Sequence, residues 1–386
     1  LHPIVATIIE HRDIDKIYGT YVLGLSQRRG KDGRIHPTFL LDGARSGRLS
    51  CTNPNLQNIP RKTTPEGRMV KDLFVAAKGW TLIQFDYSQL ELRVAALMSG
   101  DPLMAEIYTT VDPDTGKPID YHKRTAELIA PIAWGIDPSM VGEVERNMAK
   151  IVNFGLLYGM TDNGLAERLT NAAREDAIRK GLPEPAAVTR DQAAKIRKAI
   201  FGKFTRLAAW IDEMVDVAKR EGYCYTSWRG QRARRRPLVH LADSPQSDGR
   251  PTFESITARN SSFNTPVQGS ASDFMLASIV EIVDWILDND IPARLVLTVH
   301  DSVILEVRDD YVQIVIDKVK SIMESQGWGA VPIVVDVEIG KAWGSLVKFS
   351  KDLAAALAEL MAARSDNSGP LDITTWLKSQ IEKAKK

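Results

Sequence analysis

Between residues 100 and 255 the pattern is mostly helical, and the β-rich runs stand only before and after that block. No other feature constrains the fold as tightly. Strands are expected at 80–86, 294–299, 302–307 and 331–337, with a further candidate at 35–41. The runs 294–299 and 302–307 are separated only by His300 and Asp301, as in a tight hairpin. A sheet built from these runs must be assembled from two distant chain segments, which gives an α+β fold class. Helices are expected at 89–98, 121–130, 143–158, 190–201, 205–221, 266–288 and 311–326. Residues 1–25 read as the end of a helix running into a linker, with helical spacing over 8–21, and 46–60 as an ordered loop rich in Gly, Ser, Asn and Pro. The polar stretch 171–188, with Pro183 and Pro185, reads as an insertion or mobile loop, and 241–251 as a second irregular stretch.

A chain of 386 residues with 44% hydrophobic content holds more than one compact core, so two or three lobes are expected. Charged residues at 26% exclude a largely disordered chain. Lys plus Arg number 50 against 49 Asp plus Glu, a net charge of +1. That excludes a uniformly basic coat, yet leaves nucleic acid open, because charge can be segregated onto different faces. Cys51 and Cys224 cannot form a disulfide framework and point to a reducing compartment. No apolar run approaches the roughly 18 residues of a membrane helix, so no membrane association is expected. The chain begins with Leu1, so a fragment or processed product is expected.

Three constellations carry chemistry. Asp86 follows the strand run Leu82-Ile83-Gln84-Phe85, where a sheet can hold a carboxylate rigidly. The plain alternative is that Ser88 and Glu91, at S-x-x-E spacing, cap the following helix and Asp86 adds charge at its N-terminus. Asp301 sits in the hairpin turn, where it reaches a metal or serves as an ordinary turn residue. Two carboxylates on neighbouring strands repel unless a cation lies between them, and hard oxygen ligands select Mg²⁺ or Mn²⁺. Arg146, Lys150, Phe154 and Tyr158 recur at i+4 and trace a slanting stripe about 18 Å long on one helix. Its cationic end suits a triphosphate and its aromatic end a base, while Gly155 and Gly159 permit close approach or bending. A solvated basic end with two core aromatics is the alternative. His122, on the preceding helix, contacts phosphate or is a satisfied structural histidine. Arg229, Arg232, Arg234, Arg235 and Arg236 form either a phosphate-backbone site or a solvated basic loop.

These residues resemble the family A DNA polymerases, the DNA polymerase I-like enzymes. DYSQLELR at 86–93 looks like motif A, RNMAKIVNFGLLYG at 146–159 like motif B, and VHDS at 299–302 like motif C. SGRLSCTNPNLQNIPR at 46–61, DYHKRTAELI at 120–129, NTPVQGSASD at 264–273 and HRDIDKIYGTYV at 11–22 also match, in family order. The resemblance implies a right-hand polymerase fold with an antiparallel β palm and helical fingers. It divides the chain into the end of the thumb and a linker (1–28), palm (29–95), fingers (96–255), palm again (256–350) and a C-terminal helical extension (351–386). By matching position, Asp86 and Asp301, with the Tyr87 carbonyl, would hold two Mg²⁺ ions, with Mn²⁺ able to substitute. Arg146, Lys150 and His122 would grip the triphosphate, and Lys150 would protonate the leaving pyrophosphate. Gln89 would lie near the nucleotide, Glu91 would exclude a ribose 2′-OH, and Phe154 and Tyr158 would contact the nucleotide and template base. Arg48, Gln268, His300 and Asn264 would contact DNA, Arg48 and Gln268 at minor-groove acceptors common to all correct pairs.

The implied activity is DNA-templated DNA synthesis on primer–template DNA from deoxynucleoside triphosphates. Two rivals stay open: a primer–template-binding module without activity, and a single-subunit RNA polymerase-like enzyme, against which Glu91 argues. Ser302 stands where most members have Glu, so any role of that third acid is lost or moved. Arg259 precedes Asn264 by five positions instead of four, and its DNA-binding role is not carried over. Gly230-Gln231-Arg232 and Cys51 also depart from the common pattern. Most of a thumb and any proofreading domain would precede residue 1, so low processivity is expected. A protein partner would act through 351–386 or supply the thumb; the plain reading of 351–386 is a packing helix pair. The expected location is the cytoplasm of a bacterial or phage-infected cell, with an organelle as the alternative.

Overall fold

A computed structural model describes residues 3–44, 46–60, 62, 64–112, 116, 118–181, 183–238 and 252–350. Helix α1 (Pro3–Lys16) runs through a π-helical stretch (Ile17–Leu23) into the short α2 (Gly24–Ser26). Strands β1 (Thr38–Leu40) and β2 (Ser50–Thr52) pair antiparallel and are followed by α3 (Pro65–Asp72) and β3 (Trp80–Tyr87). Seven helices come next: α4 (Leu90–Ser99), α5 (Pro102–Thr109), α6 (Tyr121–Ala133), α7 (Glu143–Leu157), α8 (Asp162–Lys180), α9 (Arg190–Lys203) and α10 (Thr205–Glu221). Then come a hairpin of β4 (Tyr223–Trp228) and β5 (Gln231–Pro237), and the long α11 (Phe253–Asp288). The chain continues as β6 (Ala293–Val299), β7 (Ser302–Arg308), α12 (Val312–Glu324), β8 (Val335–Gly340) and β9 (Val347–Lys348). The fold is α+β, as the strand–helix–strand pattern predicts. Two units emerge among the described residues: one holds those up to Ser88 with 274–326 and 334–350, the other those of 89–273 and 327–333.

The first unit is built on an antiparallel sheet in the order β6-β7-β3-β8-β9, so strands from two distant segments do meet. Period-2 patterning gives it two different faces. On one, Ile83, Phe85, Val303, Leu305, Val307 and Ile339 are fully buried. Helix α12 packs on β3, β7 and β8, and its Val312, Val315, Ile316 and Val319 are buried at helical spacing. Each such side chain contributes about 1.5–3 kcal/mol of burial. Tyr87 closes this face, its hydroxyl bonding Ser278 Oγ at 2.7 Å and donating to the Met323 carbonyl at 2.9 Å. On the other face, Leu82 and Ile304 join a core with Tyr21, Leu25, Leu56, Val70 and Trp343. Two residues further along β3 that apolar cover gives way to Gln84, whose Oε1 accepts from Trp343 Nε1 at 2.9 Å, and then to Asp86. A cleft of about 930 Å³, lined among others by Tyr21, Arg34, Phe74, Arg294 and Trp343, opens at the Leu82 end, away from Asp86 and Asp301.

The second unit is mainly helical. Ala126 and Ala130 of α6 and Ala149 of α7 share one buried cluster, and these small side chains let the two helices pack closely. Three expectations need correction here. Helix α8 runs through residues 171–180, which read as loop, because Asn171-Ala172-Ala173-Arg174-Glu175 is made mostly of helix formers and the prolines come only at 183 and 185. Residues 223–237, inside the block read as helical, form a β-hairpin. Its signal was present in Tyr223-Cys224-Tyr225-Thr226 and the Arg229-Gly230 turn, where both residues take positive φ (50° and 78°). Helix α11 starts at Phe253, so Pro266 lies inside it and does not open it. The stretch 241–251 and the extension 351–386 lie outside the described residues. Among the described residues no helix is long and apolar enough to cross a membrane.

Candidate active site

In the first unit, Asp86 stands next to last in β3, directly opposite Ser302 of β7 and Asp336 of β8. The β6–β7 strands reverse through His300 and Asp301 alone, with His300 at φ 54°. A left-handed residue is what lets two strands turn in two positions, and His tolerates it better than most. The Tyr87 amide donates to the Asp301 carbonyl at 3.0 Å, which docks the turn on the end of β3. The two acids are thus gathered at one end of one sheet, joined through the Tyr87 backbone.

Their electrostatics follow from that crowding. Asp86 keeps solvent access at its edge, yet surrounding protein strips enough water to push its carboxyl up to about 7. Burial leads, repulsion from Asp301, Asp336 and Glu338 adds to it, and Lys62 opposes it. Burial also raises Asp301, opposed by Arg48, whose Nη2 lies 3.6 Å from Asp301 Oδ1. Glu338 and Asp336 have their own cations, Lys62 at 2.5 Å and Lys348 at 2.8 Å. Asp86 and Asp301 offer only hard oxygen donors, held under mutual repulsion that a divalent cation would relieve, so the pair fits Mg²⁺ or Mn²⁺. Among the described residues no three His, Cys, Asp or Glu side chains converge as a closed metal cage. An ion here would take its remaining ligands from water or a phosphate, as Mg²⁺ commonly does. Ser302 makes no third acid: it is buried, and its hydroxyl donates to the Val299 carbonyl at 2.9 Å.

In the second unit, Asp120 caps α6, accepting from the Lys123 amide at 2.8 Å. The same carboxylate takes Arg146 Nη2 and Nε at 2.7 and 3.0 Å. Burial would raise Asp120, but these bonds hold it below the usual carboxylate range. His122, the second residue of α6, is buried, and burial pushes its pKa down to about 4; Asp120 opposes that shift, while Lys150 and Arg146 add to it. Its Nδ1 accepts from Asn153 Nδ2 at 3.2 Å, and its ring lies 5.8 Å from that of Phe154. Lys150 is exposed on α7. His122 and the stripe therefore share one side of α6 and α7. Tyr158 ends α7 and donates a hydrogen bond to Glu91 Oε2, and Glu91 is buried. Ser88 is not the N-cap of α4. Gln89, at φ 54°, is the residue that caps α4, so Glu91 is the second residue of the helix and not the third. Gly159 takes φ 67° against Asn260, whose Nδ2 donates to the Gly159 carbonyl at 3.2 Å. Gly155 faces Met160 so closely that a Cβ would lie 3.1 Å from its Cε.

Of the residues expected to meet DNA, Arg48 and the exposed His300 lie with Asp301 in the first unit. Asn264 and Gln268 lie one turn apart on α11, half-buried, in the second unit, with Asn264 Oδ1 buried and unpartnered. The arginine cluster falls on the β4–β5 hairpin, Arg229 in its turn and the other four on β5. Arg232 pairs with Glu221 at 3.0 Å, Arg234 with Asp273 at 2.6 Å, and Arg236 donates to Thr265 Oγ1 at 2.7 Å. Sequence reasoning missed Asp336 and Glu338 beside Asp86, although Val335-Asp336-Val337-Glu338 alternates and so puts both acids on one strand face. It also missed Asp120, whose place two residues before His122 at a helix start was a capping signal.

Residues 1–345 match the family model described as DNA polymerase family A. DNA polymerase I of Thermus thermophilus is 34% identical over 343 residues, covering 89% of this chain and 36% of that protein. DNA polymerase I of Chloroflexus aurantiacus is 32% identical over 348 residues, covering 90% of this chain and 33% of that protein. The chain thus spans about a third of the length of these relatives. A solved polymerase domain of Pol1 from M. smegmatis, in complex with DNA primer-template and dNTP, has a TM-score of 0.74 and 30% identity, covering 89% of this chain and 54% of that one.

Proposed function

This chain belongs to DNA polymerase family A, and from that premise we propose that it carries the nucleotidyl-transfer site of a DNA-templated DNA polymerase. The primer 3′-oxygen attacks the α-phosphorus of a deoxynucleoside triphosphate in line, the α–β phosphoanhydride breaks, and pyrophosphate leaves. One observation carries the reading: Asp86 and Asp301, far apart in sequence, end on adjacent strands of one sheet, tied by the Tyr87 amide to Asp301 carbonyl bond. Asp86 and Asp301, assisted by the Tyr87 carbonyl, would hold the divalent ions. When bound, these ions supply Lewis-acid activation of the attacking oxygen and charge stabilisation at phosphorus.

In the second unit Arg146 and Lys150 grip the triphosphate, and Lys150 delivers a proton to the departing pyrophosphate. His122 serves as a neutral donor. Its Nδ1 accepts from Asn153, which leaves the proton on Nε2. Glu91, held by Tyr158, occupies the space a ribose 2′-OH would need, and Phe154 stacks near the incoming base. Arg48, His300, Asn264 and Gln268 contact the primer–template. The complex named for the Pol1 neighbour supports both partners, DNA and dNTP. Two free, buried cysteines suit the reducing cytoplasm of a bacterial or phage-infected cell.

Primer extension with Mg²⁺ and four deoxynucleotides tests the reading, run beside Asp301→Ala. The expected result is extension by the parent and loss of at least about 10³-fold by the variant, the scale of losing a principal electrostatic element. Template binding without extension by the parent would replace this reading with that of a binding module.

A further inference from the structure

The Tyr108 hydroxyl is used by none of the roles assigned above, yet it touches one of them. Tyr108 lies on α5, 7% exposed, and its hydroxyl donates to Gln89 Oε1 at 3.1 Å. Gln89 is the left-handed residue at which the chain turns from β3 into α4. A long side chain at such a turn has several rotamers open to it unless something holds its amide. Tyr108 itself is held on both faces. The Arg93 guanidinium covers its ring at 4.3 Å, and Arg93 is anchored by donating to the Pro332 carbonyl at 2.6 Å. Tyr121 stacks on Tyr108 with centroids 4.9 Å apart and planes 8° from parallel. Tyr121 in turn meets the His122 ring edge-on at 5.9 Å.

We infer that Tyr108 is a positioning residue for nucleotide binding, acting through Gln89. The inference rests on the polymerase reading, in which Gln89 lies near the nucleotide. With Oε1 occupied by the tyrosine hydroxyl, Gln89 has its Nε2 left as the donor for an acceptor oxygen of the nucleotide, sugar or phosphate. The clamp of Arg93 and Tyr121 fixes the ring, the ring fixes the amide, and the same stack backs His122. Two nucleotide-facing groups thus share one rigid support. Tyr108 contacts no reacting atom in this scheme, so its loss should weaken nucleotide binding before it slows chemistry.

Tyr108→Phe removes the hydroxyl and keeps the stacked ring. In single-nucleotide incorporation, the KM for the deoxynucleotide should rise about fivefold to tenfold with kcat changed by less than about twofold, since one hydrogen bond is worth about 1–1.5 kcal/mol and 1.4 kcal/mol is tenfold. Gln89→Ala should raise KM similarly, and the double variant should be no worse than Gln89→Ala alone. Tyr21→Phe is the control: it also loses a hydroxyl bond, to the Asn58 carbonyl at 2.7 Å, and should lower the melting temperature without moving KM. An active parent whose Tyr108→Phe variant keeps the parental KM, or a double variant with additive losses, would overturn the inference and leave the polymerase reading intact. A parent that incorporates nothing would overturn both.

Discussion

At His122, burial and function act on one imidazole. Burial holds its pKa near 4, against an unfolded value of 6.5. Between those two pH values the unfolded chain binds a proton that the folded chain refuses. Stability that is complete above about pH 6.5 is therefore lost as pH falls toward 4, by up to about 3 kcal/mol. Denaturant melts at pH 7.5, 6 and 5 should show that decline, and His122→Gln should flatten it. Asp86 has the opposite character. Its ionised form is opposed by Asp301, Asp336 and Glu338, so charge on this carboxylate works against the fold until a cation arrives. Asp86→Asn should abolish primer extension while raising the melting temperature at pH 8. Mg²⁺ should raise the melting temperature of the parent and leave that of the variant unmoved. A variant less stable than the parent would contradict the repulsion assigned to this site.

Elements inherit such constraints at their ends. Helix α7 closes at Gly159 and helix α8 at Gly181, at φ 67° and 64°. A Cβ at Gly181 meets open space, whereas one at Gly159 would collide with Asn260. Gly181→Ala should cost about 1 kcal/mol for the left-handed backbone, and Gly159→Ala at least about 1 kcal/mol more, read as a difference in denaturant midpoint. Lys341 ties β8 to β3, donating to Asp309 at 2.8 and 3.0 Å, to the Trp80 carbonyl at 2.6 Å and to Thr81 Oγ1 at 3.1 Å. Lys341→Met would leave Asp309 buried without its cation and should cost about 3–5 kcal/mol, with Asp309→Leu in the same chain recovering much of it. The strands and the acids at their ends were legible in the sequence because alternation and a two-residue hairpin are local signals. The β4–β5 hairpin was signalled in its first strand and turn, but four arginines hid the alternation of β5, and the partners of Arg232, Arg236 and Arg234 (Glu221, Thr265 and Asp273) come from other elements. The role of Asp120 was equally hidden, since its hold on Arg146 crosses from one helix to another.

For the whole molecule, the family match ends at residue 345; β9 pairs with β8, and the Phe349 amide donates to the Val337 carbonyl at 2.8 Å. Every residue assigned a role above lies before that point: the acids on the sheet of the first unit, and the cations, Glu91, Tyr108 and Tyr158 in the second. Among the described residues the first unit is hydrogen-bonded through the strand order β6-β7-β3-β8-β9 and the second through its helices and the β4–β5 hairpin. A chain stopped after Ser350 keeps all of those bonds. Its extension rate on a primed template should stay within about twofold of the full chain, a change of about 0.4 kcal/mol in the barrier. Its melting temperature should also stay close to that of the full chain. A truncated chain that keeps its melting temperature but loses extension would place a working part of the site in residues 351–386. Loss of both would instead make that segment part of the core of the first unit.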